Sequence, residues 1–150
     1  MLNAIKAFFE ENILSSDKSE EGKQHALRLA TTALLIEMMR MDDHFHDAEQ
    51  KMLIVQIKAC FKLTDTETEE LVGLASAELQ NSTDYYQFTS LINQHFEYND
   101  KLPIIEALWE IAYADDALDI DEEYLVRKVS ELLYVSHADF IAAKLRVKNR

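Results

Sequence analysis

Two glycines and one proline are all that interrupt this chain of 150 residues. Tight turns and strand connections draw on those two residue types more than on any others. Their scarcity disfavours a β-sandwich or an α/β sheet and points to long helices joined by short connections, an all-α fold. A hydrophobic content of 48% argues against disorder. The length suits one domain, residues 1–150, with room for a real core.

Apolar periodicity divides the chain into about seven to eight helices. Leu2, Ile5, Phe8, Phe9 and Ile13 form one amphipathic pattern, and Ser15 to Gly22 reads as loop, so residues 1–22 are an N-terminal helix and loop. A helix from about Glu21 to Met41 buries Leu27, Ala30, Leu34, Met38 and Met41. The next turns Met52, Leu53, Ile57, Cys60 and Phe61 inward. Thr64-Asp65-Thr66-Glu67 reads as a capping box for a helix through Leu71, Ala75 and Leu79. Asn81-Ser82-Thr83 is a break, followed by Tyr85, Phe88, Ile92 and Phe96. Pro103 is expected in the first turn of a helix carrying Ile105, Leu108, Ile111 and Ala112. Leu125, Val126, Val129, Leu132 and Leu133 mark the next. Ser136 caps the last, with Ile141, Ala142 and Leu145. Trp109 and Met38-Met39 read as core, and the lone Cys60 as a small buried hydrophobe.

One acidic phrase occurs twice. Residues 42–49 read Asp-Asp-His-Phe-His-Asp-Ala-Glu and residues 115–122 read Asp-Asp-Ala-Leu-Asp-Ile-Asp-Glu. Both have the form D-D-x-Φ-x-x-x-E, with Φ apolar, and neither contains Lys or Arg. Cys60 to Thr64 corresponds to Leu132 to Ser136 at an offset one residue shorter. The chain therefore divides into a first half at 27–64 and a second at 104–136, each a helix, an acidic bend and a helix. Packed like charges repel. Asp42 and Asp115 also oppose the dipole at the end of a helix, beside carbonyls with no intrahelical partner. Such an oxygen-rich nest suits a hard divalent cation, Ca²⁺ or Mg²⁺ rather than Zn²⁺. The other reading is capping: Asp119 and Glu122 fit an N-cap and its capping-box partner, His46 and Glu49 hold the equivalent places, and the rest of the acid is solvated. Asp43, His44, His46, Asp116 and Asp119 are possible additional ligands, the two histidines admitting a transition metal. Neither phrase is an EF-hand, since the loop glycine is missing and the twelfth position is Leu53 or Val126.

The net charge of −13 disfavours sequence-independent binding to nucleic acid or an anionic membrane. No stretch approaches a membrane span or a signal peptide's apolar region, and a single cysteine forms no intrachain disulfide, so the cytoplasm is the expected compartment. Nucleotide-binding, serine-hydrolase, zinc-protease and di-iron signatures are missing, which argues against an enzyme.

Met38 to Glu49, and more plainly Ala112-Tyr113-Ala114-Asp115-Asp116-Ala117-Leu118-Asp119-Ile120-Asp121-Glu122, resemble the repeated A-D-G-x-[IV]-[DS]-x-x-E phrase of the tellurite-resistance TerB family. The resemblance runs from about Leu27 to Leu145. It implies a single, wholly helical domain with pseudo-twofold halves and a metal site at Asp42, Glu49, Asp115 and Glu122. Related domains occur in membrane-associated DnaJ-type co-chaperones, implying a stress or envelope-associated setting. The family's glycine is replaced here by Asp43 and Asp116, and Met39-Arg40-Met41 departs from the small residues before the phrase. The expected function is a non-enzymatic module that binds a divalent cation and a protein partner. The alternatives are an acidic interaction domain with no metal, or a metal-assisted hydrolase.

Overall fold

The apolar run around Leu34 and Met38 becomes the axis of the molecule. In the computed structural model, residues 4–14, 19–42, 45–80, 86–114 and 120–150 are described, apart from the side chains of residues 79, 80, 120 and 121. They form eight α-helices and no strand: α1 (Ala4–Phe9), continued by a π-helical turn at Glu10–Leu14, α2 (Glu20–Met41), α3 (Asp47–Phe61), α4 (Asp65–Gln80), α5 (Gln87–His95), α6 (Tyr98–Ala112), α7 (Ile120–Leu132) and α8 (His137–Lys148). Helix α2 is buried almost all round from Leu29 to Met39 and packs against α3, α4, α5, α6 and α7. A helix apolar on every side is stable only at the centre of a fold. Helix α6 is the second central element, covered by α7 and α8, with Trp109 fully buried and its Nε1 donating to Phe140 O at 3.2 Å.

Local chemistry sets the helix ends. Ser19 Oγ accepts from Gly22 N at 3.0 Å and starts α2 one residue ahead of the expected Glu21. The capping box at Thr64 and Glu67 forms as read, with Glu67 N to Thr64 Oγ1 at 3.1 Å and Thr64 N to Glu67 Oε1 at 2.9 Å. Ser136 Oγ accepts from Asp139 N to start α8. Lys62 and Tyr134 close α3 and α7 in the left-handed region, at φ 56° and 60°. The following N–H groups return to the helices, Leu63 N to Lys58 O and Val135 N to Ser130 O. These bonds offset the cost of a non-glycine residue in that conformation.

Four local expectations change. Met52 does not face the core: it is 73% exposed, and Ile57 and Phe61 are the buried residues of α3. Leu145 is 48% exposed, while Phe140 and Ala143 turn α8 inward. Pro103 lies in the second turn of α6 rather than the first, because a capping box between Glu97 and Asp100 starts that helix earlier. The N-terminal helix widens at Glu10 into a π turn that carries Ile13. The break at Asn81-Ser82-Thr83 and the packing of Tyr85 lie outside the described residues, as does that of Leu79.

Helix α5 starts by a device with no local signature. Its N-cap is Tyr86 at φ 60°, whose side chain makes no cap bond. The acceptors come from two other helices. Glu37 of α2 takes Phe88 N at 2.7 Å, Thr89 N at 3.1 Å and Thr89 Oγ1 at 2.7 Å. Glu78 of α4 takes Tyr86 N at 3.0 Å. The carboxyls are 0% and 2% exposed. Burial, followed by the Glu37 carboxylate, pushes the Glu78 carboxyl up to about 8, and burial also raises Glu37, so the pair favours taking up a proton.

Candidate metal centre

Asp42 is the C-cap of α2, with extended backbone and its N–H bonded to Met38 O at 3.1 Å. Its carboxylate is aimed at α7. Tyr124 Oη, two residues beyond Glu122, donates to Asp42 Oδ2 at 2.7 Å. Phe45, the apolar residue of the first acidic phrase, is buried with its ring 6.1 Å from that of Tyr124. The first acidic bend thus rests on the helix that carries the end of the second phrase. The hydrogen bond to Asp42, more than burial, pushes the Tyr124 phenol up to about 12. The phenol stays protonated and remains a donor to the carboxylate. Such a partner fixes a carboxylate's orientation, as outer hydrogen bonds do for metal ligands.

The remaining predicted residues divide sharply. Glu49 sits half-buried in the first turn of α3, where a carboxylate is favourable on its own account. His46 is its exposed N-cap and makes no side-chain cap bond, so the expected reciprocal cap with Glu49 does not form. The bend is braced instead by Gln50 Nε2, which donates to Phe45 O at 3.1 Å. Glu122 is buried in the first turn of α7, beside a small apolar space lined by Leu35, Ile57, Leu108 and Val126. A carboxylate in such surroundings must be paired, protonated or bound to a cation to be tolerated. Asp43, His44, Asp115, Asp116 and Asp119 lie outside the described residues. Among the described residues, no three of His, Cys, Asp and Glu come together as a metal cluster.

The described donors fit a hard cation in kind. Asp42 is a half-buried carboxylate held in one orientation at a helix C-terminus, with carboxylate oxygen rather than sulfur or imidazole as its donor. Asp42, Glu49 and Glu122 are donors of the right kind for such an ion, with Tyr124 orienting Asp42, but these three do not gather into a cluster.

Sequence reasoning missed Tyr124, Glu37 and Glu78. A tyrosine two places after the acidic phrase carries no distinctive local pattern. Glu37 did leave one, as a carboxylate inside the apolar run Ala33-Leu34-Leu35-Ile36-Glu37-Met38-Met39. So did Glu78, which continues the buried face of Leu71 and Ala75 at helical spacing. Tyr86 lies near both groups: burial raises its phenol, followed by the charges of Asp42, Glu37 and Glu78. Of the other predicted core residues, Met38 and Met39 are buried as read, whereas Met41 is half-buried and so is Cys60, its thiol pushed up by burial and then by Glu110; Leu2 lies outside the described residues.

Among the described residues no helix is long and apolar enough to cross a membrane. No curated protein and no solved structure matches the chain. The family model described as tellurite resistance protein TerB matches residues 28–145, nearly the span of the repeated phrases and the helices that flank them. With most of its length matched, the chain belongs to the TerB family.

Proposed function

We propose that this chain is a non-enzymatic TerB-family module that binds a divalent cation at its acidic bends and engages a protein partner. The ligands would be Asp42 and Glu49 from the first bend and Asp115 and Glu122 from the second, with Ca²⁺ or Mg²⁺ preferred over Zn²⁺ for all-carboxylate donors. One observation carries the reading: Tyr124 Oη holds Asp42 at 2.7 Å, tying the first bend to the helix that ends the second phrase. Glu122, buried in the first turn of that helix, is the carboxylate of the second phrase whose side chain is described.

The test is the melting temperature of chelator-stripped protein with Ca²⁺, Mg²⁺, Mn²⁺ or Zn²⁺, against a monovalent salt control. A ligand stabilises only the state it binds, by about 2.7 kcal/mol at a hundredfold excess over Kd. A saturable rise for one ion, reduced in Asp42→Asn and Asp115→Asn, supports the site. A response equal to that of monovalent salt removes it.

A second reading is favoured by Glu49, which sits in the first turn of α3 where a carboxylate is favourable without any metal. In it the acids cap helices and present an acidic surface to a basic segment of a partner. Binding of a basic peptide that weakens with salt and ignores chelator would select it.

A further inference from the structure

Helix α3 is apolar on two faces, and the fold covers only one. Ile57 and Phe61 are buried, and Leu53 and Ile54 pack against the core. On the other side Ala48, Met52, Val55 and Ala59 follow one another at steps of four, three and four residues, which aligns them along one helical stripe. All four are exposed, Met52 at 73% and Val55 at 68%. A lone exposed apolar side chain needs no explanation, but a continuous stripe on a helix marks a surface another element covers. Lys51 and Lys58 line one edge of this stripe, and Lys62 follows at the helix end. Lys58 pairs with Asp65, while Lys51 and Lys62 make no ion pair among the described residues. This is a basic edge in a chain of net charge −13.

We infer that the outer face of α3 docks an amphipathic helix of a partner protein, with apolar residues laid along Ala48, Met52, Val55 and Ala59 and acidic residues against Lys51 and Lys62. Charge selects this occupant. An acidic edge complements the lysines, and helices dock on such stripes through anchors at helical spacing. Two copies packed antiparallel, stripe on stripe, would bring lysine edge against lysine edge, which argues against a second copy. The inference rests on the reading of the chain as an interaction module and is independent of the cation.

The test uses the full chain and two fluorescein-labelled model helices with the same leucine stripe, one flanked by glutamate and one by lysine. Fluorescence anisotropy should show the glutamate helix binding more tightly and more weakly as salt is added. Met52→Lys or Val55→Lys should lower its affinity at least about tenfold with melting temperature unchanged, because both side chains are outside the core. Lys51→Glu combined with Lys62→Glu should reverse the preference. Preference of wild-type protein for the lysine helix, untouched by Met52→Lys, overturns the proposal while leaving an interaction module that docks through its acidic surface. Binding of neither helix also overturns it. So does a dimer in sedimentation that Met52→Lys dissociates, since the occupant is then a second copy.

Discussion

Tyr124 Oη donates to Asp42 Oδ2 across 82 residues of sequence, and this bond joins the C-terminus of α2 to the first turns of α7. Tyr124→Phe removes the donor and keeps the ring against Phe45. A hydrogen bond to a charged acceptor contributes about 1.5–3 kcal/mol when shielded, and half-exposure puts this one nearer 1 kcal/mol. The variant should melt a few degrees lower. If Asp42 binds a cation, removing its orienting partner should also weaken cation affinity about tenfold. Unchanged affinity in a titration of Tyr124→Phe would exclude Tyr124 from the site.

Glu37 and Glu78 are not equivalent, although both are buried carboxyls at the start of α5. Glu37 accepts three hydrogen bonds from residues 88 and 89, and Glu78 accepts one from Tyr86 N. Glu37→Gln sets an amide N–H where a backbone donor needs an acceptor, and should cost about 2–4 kcal/mol. Glu78→Gln keeps a donor toward Glu37 and an acceptor for Tyr86 N, and should cost less than about 1 kcal/mol. Urea denaturation of the two variants compares them directly. Equal losses would mean that the three hydrogen bonds to Glu37 do not set it apart from Glu78.

The same pair predicts the pH dependence of stability. Folding raises the Glu78 carboxyl from an ordinary 4.5 to about 8. Between these values the folded chain binds more protons than the unfolded chain, so stability falls as pH rises. The contribution is complete below about 4.5 and lost once pH passes about 8, with a slope of at most about 1.4 kcal/mol per pH unit. Urea midpoints measured through this window should decline in wild type and flatten in Glu78→Gln. A wild-type profile that rises through the window would reverse the assignment.

Gly73 lies mid-way along α4 on its exposed face, and a Cβ built there meets nothing within 4 Å. Its φ is not positive, so no left-handed conformation requires glycine. Gly73→Ala should stabilise the protein by about 0.5–1 kcal/mol through the lower entropy of the unfolded chain. A thermal melt checks this. A loss of stability would mean that the outer face of α4 is covered in solution.

What could be read in advance was local. The capping box at Thr64 and Glu67, the cap at Ser136 and the burial of Phe9, Leu34 and Trp109 follow from spacings within one or two helical turns. Met52 shows where that reasoning fails. Helical spacing allows it to share an apolar face with Val55, but whether that face turns inward depends on where α2 and α6 lie. The candidate site divides in the same way. The carboxylates of the two phrases were visible as a pattern, whereas Tyr124 became a partner of Asp42 only when α7 packed against the end of α2.

Sequence alone determined the all-α class, the order of the helices and the family, because helical periodicity, capping chemistry and a repeated phrase are properties of neighbours along the chain. Tertiary structure alone decided that Glu37 and Glu78 would cap α5, that Tyr124 would hold Asp42, and that α3 would leave one apolar face uncovered. Each joins or exposes groups far apart in sequence. Their positions follow from how whole helices pack, which no short stretch of residues encodes.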